Sequence, residues 1–291
     1  MKVEIFDSRR NILGEGPSSS GVSNEVISWV DIYGRKVRSK NILSGEIEEI
    51  NTAEDVGFAI PRRGGGYVLG EVGGPFLRDV DGSSHHLPTR ADADGYLSSQ
   101  VVRWNDAKVS PRGDLYLGTM AYDFKENAGA LYQLREDGKH MRRVFGDVTI
   151  SNGIGWNLDG SLMYFIDTSL NRIDLFDVEE REIKNRRTFL NFPVDGGSPD
   201  GMCVDADGNL WVAFWLGHAV RCFDGVTGDL IQEIICPAPR ITSCAFGGSR
   251  LDQLFITSAS EDTDLTLYPK AGMVFVTNPG VLGQKTAVFK A

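Results

Sequence analysis

Glu15, Asn105, Asn152, Asp200 and Ser243 are the residues whose types and spacing could do chemistry together. Each stands 10 or 11 residues ahead of a recurring strand-like phrase, and Gly57 holds the same place in a sixth copy. Carboxylate and amide oxygens, with no cysteine or histidine among them, suit a hard or borderline divalent cation. Two carboxylates plus amides leave coordination positions for water, as an open catalytic metal site requires. Asn, Asp and Ser are also ordinary turn residues before strands, and taken singly each position allows that reading. As a set they favour the cation, because Glu is not a turn residue. The surroundings Gly14-Glu15-Gly16-Pro17, Ser151-Asn152-Gly153 and Pro199-Asp200-Gly201 put the polar group where Gly or Pro shapes the backbone.

Residues so far apart can meet only if the chain repeats around an axis. The phrase that repeats is a polar turn followed by apolar residues with aromatics, as in Gly113-Asp114-Leu115-Tyr116-Leu117 and Gly208-Asn209-Leu210-Trp211-Val212. With Val26, Tyr67, Leu115, Leu162, Leu210 and Leu254 as equivalents, the intervals are 41, 48, 47, 48 and 44 residues. One unit shows four strand-like runs, Gly201 to Val204, Leu210 to Trp215, Ala219 to Phe223 and Leu230 to Ile235. Four strands in a unit of roughly 40–50 residues mark a β-propeller blade. The expected fold is all-β, a six-bladed β-propeller with four-stranded blades, and residues 1–291 form one domain. A sandwich gives no reason for the period, and the Gly-His and Trp-Asp signatures of the tryptophan-aspartate repeat are missing. Closure is expected to bring Val3 to Phe6 beside Ala287 to Lys290, hiding both sheet edges.

Composition narrows the partners. The 30 basic and 40 acidic residues give a net charge of −10, which repels phosphate backbones, so no nucleic acid partner is expected. The longest apolar run, Leu210 to Leu216, is far short of the ~20 residues that span a bilayer, so no membrane association is expected. The first residues are acidic and do not read as a signal peptide. Cys203, Cys222, Cys236 and Cys244 lack metal-site spacing and lie in apolar runs, which points to core thiols in a reduced, cytoplasmic protein. There is no Gly-x-Ser-x-Gly elbow for a serine hydrolase and no dinucleotide fingerprint. Asp92-Ala93-Asp94-Gly95 and Asp205-Ala206-Asp207-Gly208 read as hairpin turns, and His85-His86 as a solvated loop.

The chain resembles the senescence marker protein/gluconolactonase/luciferin-regenerating enzyme family. The resemblance runs nearly end to end through Gly14-Glu15-Gly16-Pro17, Val30-Asp31-Ile32, Arg103 to Lys108, Gly118-Thr119-Met120 and Ser151-Asn152-Gly153. It continues through Phe165-Ile166-Asp167, Ser198 to Cys203 and Thr242-Ser243-Cys244. It implies a propeller with one divalent cation in its channel (calcium, zinc, manganese or magnesium) held by Glu15, Asn152 and Asp200. Arg103, Asn105 and Asp123 match substrate-contacting positions, Asn105 being able to reach the metal as well, and Asp200 matches the candidate general base. The implied activity is hydrolysis of a small-molecule sugar lactone, a gluconolactone or a related pentonolactone. Hydrolysis of other esters or phosphorus esters on the same metal, and a non-catalytic calcium-binding propeller, are the alternatives. Ser18-Ser19 stands where the family's first motif carries an aromatic, and the first blade's edge of the pocket is expected to be less apolar for it.

Overall fold

The computed structural model describes residues 1–20, 23–95 and 101–291, and in it the chain forms six four-stranded antiparallel sheets. A first strand, β1 (Glu4–Asp7), precedes them. Blade 1 comprises β2 (Gly14–Ser20), β3 (Ser23–Asp31), β4 (Lys36–Asn41) and β5 (Ile47–Asn51). Blade 2 follows with β6 (Val56–Pro61), β7 (Tyr67–Glu71), β8 (Gly74–Arg78) and β9 (Ser84–His86). Blade 3 holds β10 (Val102–Val109), β11 (Leu115–Ala121), β12 (Gly129–Leu134) and β13 (Met141–Val148). Blade 4 holds β14 (Ser151–Trp156), β15 (Leu162–Asp167), β16 (Arg172–Glu179) and β17 (Glu182–Asn191). Blade 5 holds β18 (Ser198–Val204), β19 (Leu210–Trp215), β20 (Ala219–Phe223) and β21 (Leu230–Ile235). Blade 6 is β22 (Ile241–Gly247), β23 (Gln253–Ser258) and β24 (Val274–Thr277), completed by β1. The innermost strands β2, β6, β10, β14, β18 and β22 touch in a closed ring. This is the six-bladed propeller expected from the repeat, and every anchor residue of the repeat lies in the second strand of its blade.

The core explains the period. Six apolar clusters form, each between two neighbouring blades: for example Phe58, Trp104 and Tyr132 between blades 2 and 3, and Trp211, Phe246 and Phe275 between blades 5 and 6. A blade buries both faces against its neighbours, so its central strands read as continuous apolar runs rather than as alternating ones. All four cysteines fall in the cluster between blades 5 and 6, buried and without disulfides. Among the described residues, no helix is long and apolar enough to cross a membrane.

Three local expectations are corrected. β1 pairs with β24, Ile5 opposite Phe275, so the strand that closes the ring is Val274–Thr277 and not the segment near Ala287. Residues 278–291 instead cross the face where the innermost strands end. Gly283 bridges to Asp205 of the β18–β19 turn, and Phe289 is buried beside Arg62. Around Asp92 the chain forms a short helix, α1 (Arg90–Asp94), rather than a hairpin turn. Thr89 and Asp92 cap each other reciprocally and Gly95 ends the helix at φ +73°, a capping box overlooked in a strand-rich context. His85 and His86 lie on the exposed outermost strand of blade 2, with His85 Nε2 3.2 Å from Asp79 Oδ2. Asp205 does make the expected turn, its Oδ1 accepting from the backbone of Asp207 and Asn209.

Phe6 fastens the closing strand. Its ring meets Phe255 edge-on at 4.7 Å and Trp29 at 6.3 Å, with the Lys40 ammonium 4.9 Å from its centroid. Phe6→Ala is expected to cost about 3 kcal/mol, the low end for a core phenylalanine because this one is half-buried. Urea unfolding measures the loss, and an unchanged midpoint would remove β1 from any part in holding the ring shut.

Candidate active site

At the phase of the candidate ligands, the ladder between first and second strands breaks in every blade. The breaks fall between Glu15 and Ser18, Val56 and Ala59, Trp104 and Ala107, Ser151 and Ile154, Pro199 and Met202, and Ile241 and Ser243. A bulge leaves residues unpaired and re-aims their side chains. Here it leaves Gly57, Asn105, Asn152 and Asp200 out of the ladder, while Glu15 is the last paired residue before its break. Glycine then lets adjacent strands close up. A Cβ on Gly153 would come within 2.8 Å of the Asp200 carbonyl, and one on Gly201 within 2.1 Å of Ser243 Oγ.

Glu15, Asn105, Asn152 and Asp200 line one cavity of about 350 Å³ at the end of the ring where the innermost strands begin. All four are buried, at 8%, 7%, 4% and 5% exposure. Gly57 brings no side chain, and Ser243 lines a narrower section of the axial channel together with Asp106 and Lys108. Arg103 lines the cavity too, its guanidinium 5.5 Å from the Tyr33 ring centroid. Asp123 does not. It is exposed in the turn after β11, where its carboxylate accepts from the Lys125 backbone, and its neighbour Phe124 lines the cavity instead. Ser18 and Ser19 face the narrow section and not this cavity, so the change from an aromatic leaves the cavity wall untouched.

The approaches to the ligands are pinned by buried aspartates. Asp31 Oδ1 accepts from the Leu13 backbone, two residues before Glu15, at 3.1 Å. Asp167 accepts from the backbone of Thr149 and Ile150 at 2.9 and 3.0 Å, just ahead of Asn152. A chain of hydrogen bonds then crosses three blades. Arg103 Nη1 donates to Asn105 Oδ1, and Asn105 Nδ2 donates to Asn152 Oδ1 at 2.8 Å and to the Ser151 carbonyl at 2.7 Å. Asn152 Nδ2 donates to Thr168 Oγ1 at 2.7 Å, and that hydroxyl donates to the Pro199 carbonyl at 2.8 Å. Asn152 therefore presents its amide oxygen, not its NH2, on the Asn105 side, with one lone pair left. Asn105 has both ends of its amide engaged and works as an orienting group.

The carboxylates are less comfortable. Asp200 Oδ1 is buried with no hydrogen-bond partner. Burial pushes the Asp200 carboxyl well above its ordinary value, and the charges of Glu15 and Asp106 push it further, opposed by Arg103. Glu15 is raised from 4.5 to about 8, first by burial and then by Asp106. Burial raises Asp106 too, against the lowering effect of Lys108. Two buried acids whose carboxyls are both pushed up, one with an orphaned oxygen, are a poor resting state for protein alone. A divalent cation would restore their charges, so the donor set fits the expected metal. Oxygen ligands from Glu15, Asn152 and Asp200 suit calcium, magnesium or manganese, and carboxylates also accept zinc.

The cavity wall was not visible in the sequence. Leu13, Met120, Phe124, Ile150 and Trp215 make it apolar, and Glu261 stands at it beside Arg240, whose guanidinium lies 5.1 Å from the Trp215 ring centroid. Most of these side chains lie at strand ends and in loops, where no period marks them.

With this geometry in view, comparison with known proteins assigns a family. The SMP-30/Gluconolactonase/LRE-like region matches residues 13–260. The chain belongs to that family. Among SMP-30/gluconolactonase/LRE-like proteins, regucalcin of Danio rerio is 38% identical, with 97% of this chain and 96% of that protein covered. Human regucalcin is 34% identical over the same shares. Among solved structures, a luciferin-regenerating enzyme superposes with a TM-score of 0.90 at 28% identity, covering 100% of this chain and 99% of that one. A regucalcin of Agrobacterium tumefaciens, described as a calcium-binding protein, gives 0.89 at 26% identity, covering 100% and 98%.

The raised carboxyls set a pH dependence. Glu15 binds its proton more tightly folded than unfolded, so its burial is harmless below about pH 4.5 and costs stability as pH climbs toward about 8. Metal-free protein should therefore melt at progressively lower temperature from pH 5 to about 8, and a divalent cation should reverse most of that loss. Thermal melts with and without cation check this. Calorimetry in buffers of different ionisation enthalpy should also show protons released on cation binding near pH 7. A flat melting profile in the metal-free protein would contradict the assignment.

Proposed function

We propose that this protein is a metal-dependent lactonase that hydrolyses sugar lactones, with Glu15, Asn152 and Asp200 holding the cation. The observation that carries the reading is the meeting of these three residues, from blades 1, 4 and 5, in one buried cavity where Asp200 Oδ1 lacks a partner. Membership of a family that includes gluconolactonases supports the lactone as substrate class. Calcium is the cation best supported, given the all-oxygen ligands and the calcium-binding relative.

When bound, such a cation supplies Lewis acidity toward a carbonyl oxygen and lowers the pKa of a water molecule. The chain's own residues do the rest. Asp200 takes the proton of the attacking water as that oxygen bonds to the lactone carbonyl carbon. The ring C–O bond then breaks, and the same carboxyl returns a proton to the departing ring oxygen, leaving a hydroxy acid. Arg103 donates toward the oxygen on which charge develops, and its buried Nε, without a partner in the protein, is free for this. Asn105 fixes Arg103 and Asn152 together and so sets the distance between the oxyanion donor and the ligand shell. Leu13, Met120, Phe124 and Trp215 exclude bulk water from the reacting ester. Asp123 contributes through its turn, which carries Phe124, rather than by contact. Four unbridged thiols, with the Cys203 and Cys244 sulfurs 3.6 Å apart, suit a reducing, cytoplasmic setting.

The test is hydrolysis of five- and six-carbon aldonolactones by metal-replete protein, followed with a pH indicator. Asp200→Asn should lower kcat by about 10²–10⁴. Activity should also vanish on chelation and return on metal add-back. A protein that binds the cation but opens no lactone in the panel is a binding propeller, and one that cleaves only aryl or phosphorus esters has a different substrate. Either result overturns the proposal.

A further inference from the structure

At the opposite end of the axis, which residues 283–289 cross, a cavity of about 640 Å³ is lined by Arg63, Lys108, Arg112, Lys285, Lys290 and Trp156. Among the described residues, no Asp or Glu lines it. On a chain of net charge −10, this is a concentrated reversal of sign. Among the described residues, of the five cations only Lys290 has a carboxylate within ion-pair distance, Glu136. The half-buried Lys108 ammonium has three donors, and among the described residues its one hydrogen bond reaches the Met202 carbonyl at 3.5 Å. The cavity is also firmly walled. Lys285 rides on the terminal segment between Gly283, bridged to Asp205, and Phe289, buried between blades 2 and 3, so its backbone is held in place before any ligand arrives.

We propose that this basal cavity is a binding site for a small phosphate ester, held by Arg63, Arg112, Lys285 and Lys108. Arg63, Arg112 and Lys285, gathered without counter-charges among the described residues, repel one another, and a dianion among them removes that repulsion. Arginine forks suit tetrahedral phosphate oxygens, and the two lysines add point charges. The volume is that of a small-molecule pocket rather than of a bare ion. The site is separate from the lactone cavity, shares no lining residue with it, and stands whether or not the lactonase reading does.

Calorimetry on the full-length, metal-loaded protein at low ionic strength tests it, with glycerol 2-phosphate as probe and succinate as the dicarboxylate comparison. Saturable binding of the phosphate ester, tighter than that of succinate and weakened by added salt, is expected. Arg63→Ser, Arg112→Ser and Lys285→Ser combined should weaken it by about tenfold or more. Asp200→Asn, at the other end of the channel, should shift it far less than the combined variant does. These three side chains are exposed, so the combined variant should keep the wild-type circular dichroism spectrum. If it does not, Lys285→Glu alone, read by phosphorus NMR line broadening of the probe, takes its place. No saturable binding, succinate binding the tighter, or equal binding by the charge-depleted variant overturns the proposal. So does binding lost in Asp200→Asn but kept in the charge-depleted variant, which would put the anion at the catalytic mouth.

Discussion

Burying Glu15 and Asp200 beside one another is the constraint on which the rest of the structure depends. Two acids away from water, with Asp106 below them and Arg103 as the nearby opposing charge, are costly for a folded chain to hold ionised. The ring tolerates them because the cost is set against closure of the whole circle. Six interblade clusters and the β1–β24 pairing fix the innermost strands, and the bulges on those strands leave the acids no easy way out to solvent. The strain is local and the support is global, which is how a binding site for a cation is kept ready.

The same arrangement explains the hydrogen-bond chain from Arg103 to Pro199. Two of its links cross between blades, Asn105 of blade 3 to Asn152 of blade 4 and Thr168 of blade 4 to Pro199 of blade 5, so the chain reports the relative positions of blades 3, 4 and 5. Asn105 is the hinge of this chain: its amide oxygen receives Arg103 while its NH2 serves Asn152 and the Ser151 carbonyl. An aspartate there could accept from Arg103 but could not donate to Asn152. It would also add one more negative charge to a site already crowded with them.

How much of this could be read from sequence follows from what has a period. Second strands such as Leu115–Ala121 and Leu210–Trp215 are buried on both faces, so their apolar runs recur once per blade and reveal the count. Residues at fixed phase from those strands, Glu15, Asn105, Asn152 and Asp200, come within reach by the same arithmetic. What lies beyond that phase does not. Asp106 follows Asn105 directly, yet its effect on Glu15 and Asp200 depends on a bulge that leaves both Asn105 and Asp106 out of the ladder. Trp215, Phe124 and Glu261 reach the cavity from strand ends and loops whose lengths differ from blade to blade. Closure by joining the termini puts Ala287 to Lys290 beside β1 on the reading from sequence, because that pairing would hide both sheet edges. The apolar residue Phe289 of this segment instead fills a gap between blades 2 and 3.

That last difference has a consequence for how the two faces of the ring divide their work. A propeller channel is open at both ends unless something covers one, and here residues 283–289 run across the end remote from Glu15 and Asp200. The covered end carries lysines and arginines, whereas the open end carries acids. Lys108 lies between, lining both the narrow section and the basal cavity, and its charge lowers the Asp106 carboxyl that in turn raises Glu15 and Asp200. A charge change at the base is thus felt at the cation ligands through two intervening side chains on one strand, β10. The geometry needs no movement of backbone to connect them, only the short electrostatic path from Lys108 to Asp106 and from Asp106 to the two acids.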